Sequence, residues 1–125
     1  MKVYEGANIR NLVFVGHSHS GKTSLVSALL YAAGATKTLG RVDQGDTVTD
    51  YDEEEISRRM TVSTSVAHAE WGKVKINLLD SPGFTLFAHE AKAAMFPAEA
   101  VAVVVDGVHG VEVVTQKVWG FADEA

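Results

Sequence analysis

The chain of 125 residues contains no cysteine. That absence excludes disulfides, thiolate catalysis and cysteine-held zinc, and it fits a reducing, cytoplasmic compartment. Long apolar runs are missing too. The most apolar stretch, Ala100 to Val105, is far short of the roughly 20 residues of a membrane helix. Lys2, Glu5 and Arg10 stand at the N-terminus, where a signal peptide would carry an apolar run. The sequence therefore reads as neither secreted nor membrane-embedded. Basic charge is scarce, with 11 Lys and Arg against 16 Asp and Glu, a formal net charge of -5. Such a balance repels phosphodiester backbones and anionic lipid, so neither a membrane nor direct sequence-specific nucleic-acid binding is expected. What is present is ordinary for a folded chain: 46% apolar and 22% charged residues, enough to bury one core.

Hydrophobic patterning divides the chain into alternating elements. Ile9 to Val15 is a β-branched apolar run stopped by Gly16, which predicts a buried strand entering a turn. From Lys22 to Ala33 the period changes: Leu25, Ala28, Leu29 and Ala32 form a helical stripe, and Gly34 supplies the stop. Residues 35–59 are polar and glycine-dotted, with an acidic run at 52–55, and predict a long loop of the kind that is functional or mobile. Thr61 to Trp71 and Val74 to Leu79 predict two strands joined at Gly72-Lys73. Ser81-Pro82-Gly83 breaks the second. A short helix is expected over Thr85 to Met95, ending before Pro97, then a strand over Ala100 to Val105 and a helix over Val111 to Ala125. Apolar runs without alternation imply strands covered on both faces, hence an α/β fold with a mainly parallel sheet.

One segment carries chemistry. Gly16-His17-Ser18-His19-Ser20-Gly21-Lys22-Thr23 fits G-x-x-x-x-G-K-[ST], between a predicted strand and a predicted helix. A polyphosphate needs several donors converging on its oxygens, and a glycine loop lets backbone N–H groups approach that closely. The helix that follows, beginning with Lys22, Thr23 and Ser24, adds the positive end of its dipole. Lys22 sets an ammonium against the terminal phosphates, and the Thr23 hydroxyl can ligate Mg²⁺. A second element, Asp80-Ser81-Pro82-Gly83, ends the Val74 to Leu79 strand, on the ligand side of an open α/β sheet. Asp80 can hold Mg²⁺ through water, and the Gly83 N–H can reach a γ-phosphate. Taken alone, the same four residues describe an ordinary turn.

Together these elements resemble the GTP-binding domain of translational GTPases, most closely elongation factor G and elongation factor G-like proteins. The anchors are G-H-S-H-S-G-K-T (16–23), D-Y-D-E-E-E-I-S-R-R-M-T-V (50–62), D-S-P-G-F (80–84) and V-V-V-D-G-V-H-G-V (103–111). The resemblance implies a P-loop NTPase three-layer sandwich, GTP or GDP and Mg²⁺ as cofactors, the ribosome as partner, and a cytoplasmic setting. It makes residues 35–60 switch I, with Thr61 as a Mg²⁺ ligand beside Thr23 and Asp80, and starts switch II at Asp80. Lys22, Thr61 and Gly83 would then act on the terminal phosphate. Two positions depart from the family. Phe84 stands where a histidine usually positions the attacking water, and a phenyl ring can neither donate nor accept a hydrogen bond. His19 stands where an aspartate linked to a monovalent cation is usual. Both changes affect positioning and charge stabilisation, the two factors that carry phosphoryl transfer, so binding is expected to survive better than hydrolysis.

Other residues have plainer readings. His17 and His19 lie two apart, but a glycine loop offers no further zinc ligands. His68, His89 and His109 are dispersed, although His17 or His89 could fill the place left by Phe84. Trp71 reads as a packing residue at a hairpin end, the 52–55 run as a solvated face, and Arg58-Arg59 as a solvated loop or an arginine finger. Two rival functions remain: a guanine-nucleotide module without turnover, and an ATP-specific P-loop protein, since the phosphate loop is blind to the base. The guanine motif N/T-K-x-D does not occur in these residues. Residues 1–125 are therefore expected to be the N-terminal portion of a GTP-binding domain cut from a larger factor. An open sheet edge would then lower stability or favour self-association.

Overall fold

In the computed structural model, residues 2–40, 49, 57 and 61–125 are described. The first strand, β1 (Ile9–Val15), occupies the interior of a four-stranded sheet, and its last three residues, Val13, Phe14 and Val15, are buried. Strand β2 (Ser65–Trp71) runs antiparallel to β3 (Val74–Asp80), and Gly72, at φ 60°, makes the tight turn between them. On its other side β3 pairs in parallel with β1, Asp80 opposite Phe14, and β1 pairs in parallel with β4 (Ala100–Val103), Val15 opposite Val103. The order is β2-β3-β1-β4, so the sheet is mainly parallel as its apolar runs require. The outer edge of β4 pairs with no described strand.

Strand alternation distributes the core over two faces. Phe14 points to one side, where Leu78, Ala67 and Ala69 meet Val26 and Leu30 of α1 (Lys22–Ala32). Val13 and Val15 point to the other and meet Leu79, together with Ala91, Ala94 and Met95 of α2 (Ala88–Met95) and Val114 and Val118 of α3 (Val113–Glu124). One helix on one face and two on the other make the three-layer α/β sandwich anticipated from the sequence.

Several boundaries move. The strand expected from Thr61 begins at Ser65. The helix expected from Thr85 opens as a 3₁₀ turn, Thr85–Phe87, and becomes α-helical at Ala88. Helix α3 starts at Val113 rather than Val111, because Gly110 takes a left-handed φ of 65° and Glu112 caps the helix. The Glu112 N–H donates to Thr115 Oγ1 at 3.2 Å while the Glu112 side chain accepts from the Thr115 backbone, a reciprocal capping box. Trp71 is 66% exposed and does not pack at the hairpin end. The acidic run at 52–55, Arg58, Arg59 and most of the proposed switch I lie outside the described residues.

The largest correction concerns α1. The stripe Leu25, Ala28, Leu29, Ala32 is not the core face: Leu25 and Leu29 are 39% and 38% exposed, and the buried residues are Lys22, Thr23, Val26, Ser27 and Leu30. The helix is turned by one residue because its first turn aims Lys22 and Thr23 at the end of the sheet. Helical spacing then brings Val26 and Leu30 beneath them. In urea unfolding of this chain, Leu30→Ala is expected to cost about 2–5 kcal/mol. Leu29→Ala should cost less than about 1 kcal/mol, and equal costs would contradict this orientation.

Candidate nucleotide-binding site

The site begins where β1 ends. The Val104 N–H bonds the Val15 carbonyl at 2.8 Å, drawing the chain after β4 close to the start of the loop. A methyl group on Gly16 would collide with the Val104 carbonyl, so glycine is required there. The loop closes on itself through the Ser20 N–H to the His17 carbonyl, 3.3 Å, and takes left-handed conformations at His19 (φ 60°) and Gly21 (φ 97°). Gly21 is the N-cap of α1. No side chain caps this end and no acidic residue lies in its first turn. The helix therefore presents its first N–H groups, and the positive end of its dipole, without an internal anion to satisfy them. Lys22 Nζ folds back onto the same loop and donates to the His17 carbonyl at 2.9 Å. The Ser20 hydroxyl is enclosed and has no hydrogen-bond partner among the described residues. An uncapped helix end, an ammonium and an enclosed hydroxyl around one glycine loop suit an anion with several oxygens.

Beside the loop stands an oxygen cluster. Asp80, fully buried at the end of β3, accepts from Thr23 Oγ1 at 2.6 Å and from Thr49 Oγ1 at 2.8 Å, both on Oδ2. Thr23 Oγ1 lies 2.9 Å from Thr61 Oγ1. Because the single Thr23 proton is directed at the carboxylate, Thr61 is the donor in that pair. A carboxylate and three hydroxyls are hard oxygen donors, the chemistry that suits Mg²⁺ rather than a thiophilic metal. No group of three or more His, Cys, Asp or Glu side chains able to hold a metal occurs among the described residues.

The segment after Asp80 is anchored and then laid on the loop. Ser81 donates to the Phe14 carbonyl from Oγ (2.7 Å) and from its N–H (3.3 Å), and Ser81 and Pro82 are fully buried. A methyl group built on Gly83 would stand 2.5 Å from Lys22 Nζ and 2.7 Å from the Ser18 backbone. The Phe84 ring meets the His19 imidazole edge to face, with centroids 5.9 Å apart and planes at 84°.

The structure thus brings Gly16 to Thr23, Thr61 and Asp80 to Phe84 together at one end of the sheet. Ser24 is exposed on α1. Three relations were not legible. Thr49 sits in a polar stretch that carries no signal for it. His17 accepts from the Val114 N–H at 3.2 Å and lies 3.7 Å from Glu112, tying the loop to the start of α3. The His19–Phe84 contact joins two segments far apart in the sequence. His89 and His68 are exposed, on α2 and β2.

His109 is held by Asp106 at 2.7 Å in the turn after β4. This hydrogen bond and the carboxylate charge raise the imidazole pKa above its usual 6.5. The Val108 N–H, with His109 second, lowers the Asp106 carboxyl below 3.8. The imidazole's contribution is fully present below pH 6.5 and is lost as pH rises through the raised value. That of Asp106 is present above pH 3.8 and is lost as pH falls through the lowered value. An NMR titration should place the His109 midpoint above 6.5 and return it toward 6.5 in Asp106→Asn. An unchanged midpoint would contradict the contact.

A glycine loop between β1 and α1, faced by a threonine and aspartate cluster in a three-layer α/β sandwich, defines a P-loop fold. Residues 7–125 match the family model of the elongation factor Tu GTP-binding domain, and the chain belongs to that family. Within it the chain is of the translational GTPase, elongation factor G-like kind. It is 41% identical over 118 residues to the mitochondrial ribosome-releasing factor 2 of Drosophila yakuba, covering 94% of this chain and 17% of that protein. Against the Drosophila grimshawi protein of the same name it is 40% identical over 123 residues, covering 98% and 17%. A crystal structure of a Thermus thermophilus protein superposes with a TM-score of 0.90 at 43% identity, over 95% of this chain and 18% of the other. The bacterial selenocysteine-specific elongation factor shares the fold, with a TM-score of 0.74 at 23% identity over 91% of this chain and 17% of that one. The chain thus spans about a sixth of the length of these relatives. No helix among the described residues is long and apolar enough to cross a membrane.

Proposed function

We propose that residues 1–125 form the phosphate and Mg²⁺ portion of the GTP-binding domain of an elongation factor G-like factor. It binds GTP and GDP, hydrolyses GTP slowly, and acts on the ribosome. The observation that carries this reading is the convergence of the uncapped α1 N-terminus, Lys22 and the Thr23–Thr61–Asp80 cluster on one glycine loop. The setting is whichever compartment holds its ribosomes, the cytoplasm included; the mitochondrial designation belongs to the relatives.

Each residue has a definable task. The loop N–H groups from Gly16 to Thr23 hold phosphate oxygens, and Lys22 exchanges the His17 carbonyl for a terminal phosphate. Thr23 and Thr61 supply hydroxyl ligands for Mg²⁺, and Asp80 orients Thr23 through the hydrogen bond it already accepts. The positive charge of a bound Mg²⁺ would serve to neutralise the phosphate oxygens. The Gly83 N–H serves as a further donor to the terminal phosphate. Phe84 can orient no water, which leaves attack on the terminal phosphate without its usual guide and favours binding over turnover. The same residue supports a second reading, in which the nucleotide orders a partner-binding surface and is not hydrolysed.

Titration calorimetry of the full-length protein should show GDP and GTP binding with Mg²⁺ and no ATP binding at equal concentration; equal ATP affinity would replace guanine with adenine in the reading. Lys22→Ala should weaken both guanine nucleotides about 10- to 100-fold, the size of a charge-assisted contact. In Asp80→Asn the loss of GTP affinity on chelating Mg²⁺ should largely disappear. A variant with undiminished Mg²⁺ dependence would remove Asp80 from the metal site.

A further inference from the structure

The two positions that depart from the family pattern touch each other. His19 projects from the phosphate loop in a left-handed conformation, and its ring meets Phe84 edge to face, 5.9 Å between centroids. The contact bridges two segments, the loop on one side and the chain following β3 on the other. Directly before Phe84, Gly83 lies against Lys22 Nζ and the Ser18 backbone so closely that a methyl group would stand 2.5–2.7 Å from them. A terminal phosphate must sit beside that ammonium. The γ-phosphate is the group that would have to reach both Lys22 and Gly83, which here lie against each other, and a diphosphate lacks it. The uncapped helix end remains open to the other phosphates. Ser81 and Pro82 are buried, with Ser81 bonded to the Phe14 carbonyl, so a displacement that makes room begins at Gly83.

We propose that the His19–Phe84 pair determines how many phosphates the site prefers: it latches Gly83 onto Lys22, favouring the diphosphate, and a triphosphate binds only by separating the two rings. This rests on the nucleotide-binding reading above. A ligand shifts an equilibrium only by its differential affinity for the two states. The latch therefore enters the ratio of triphosphate to diphosphate affinity rather than either affinity alone. It also gives Phe84 a positive role, as the residue that closes the site at the position where the family usually carries a water-positioning histidine.

The test measures GDP and a non-hydrolysable GTP analogue, both with Mg²⁺, by calorimetry on the full-length protein and four variants. In Phe84→Leu and in His19→Ala the ratio of analogue to GDP affinity should rise about three- to tenfold, the worth of one edge-to-face pair. The double variant should rise no further than the single ones, because both remove one contact. Phe84→Tyr, which keeps the ring, should stay within about twofold of the parent and serves where the leucine variant folds poorly. An unchanged ratio in both single variants would overturn the latch, as would effects that simply add in the double variant. Failure of the parent protein to bind either nucleotide would overturn the nucleotide reading itself.

Discussion

The Asp80 carboxylate, wholly buried at the end of β3 and bonded to the Thr23 and Thr49 hydroxyls, is the contact on which the site depends. A buried carboxylate is tolerated only when its oxygens find donors, and here the donors come from three-dimensional neighbours, not from its own strand. Satisfying it fixes the first turn of α1 against the sheet, which in turn places the phosphate loop above the ends of β1 and β3. The rotation of α1 that leaves Leu25 and Leu29 half-exposed follows from the same requirement. A single polar interaction thus outweighs the apolar stripe that helical periodicity would have buried.

Around that point the fold supplies rigidity. Val13 and Val15 on one face and Phe14 on the other lock β1 between two apolar layers, so the loop leaves from a fixed strand end. Ser81 fastens the facing segment to the Phe14 carbonyl, and His17 fastens the loop to the start of α3.

Much of this was legible in the sequence, for identifiable reasons. The apolar runs Ile9–Val15 and Ala100–Val105 and the break at Gly72-Lys73 yielded the sheet, although the last strand ends at Val103, since period and turn chemistry act locally. The loop was legible because its residue types are dictated by phosphate chemistry. What could not be read was long-range. Thr49 reaches Asp80 across 31 positions and Val114 reaches His17 across 97, and no local pattern encodes either. The capping box that delays α3 to Val113 was missed because the valines on either side of Glu112 masked it as an N-cap.

In the proposed reading, nucleotide binding and hydrolysis are separated in this chain, with the binding elements intact and the water-positioning place held by a phenyl ring. Single-turnover release of phosphate from pre-bound GTP, with Mg²⁺ and without ribosomes, tests that separation most directly. Bound nucleotide is expected to remain GTP long after the complex has formed. Rapid phosphate release that collapses in Phe84→Ala or His19→Ala would contradict it.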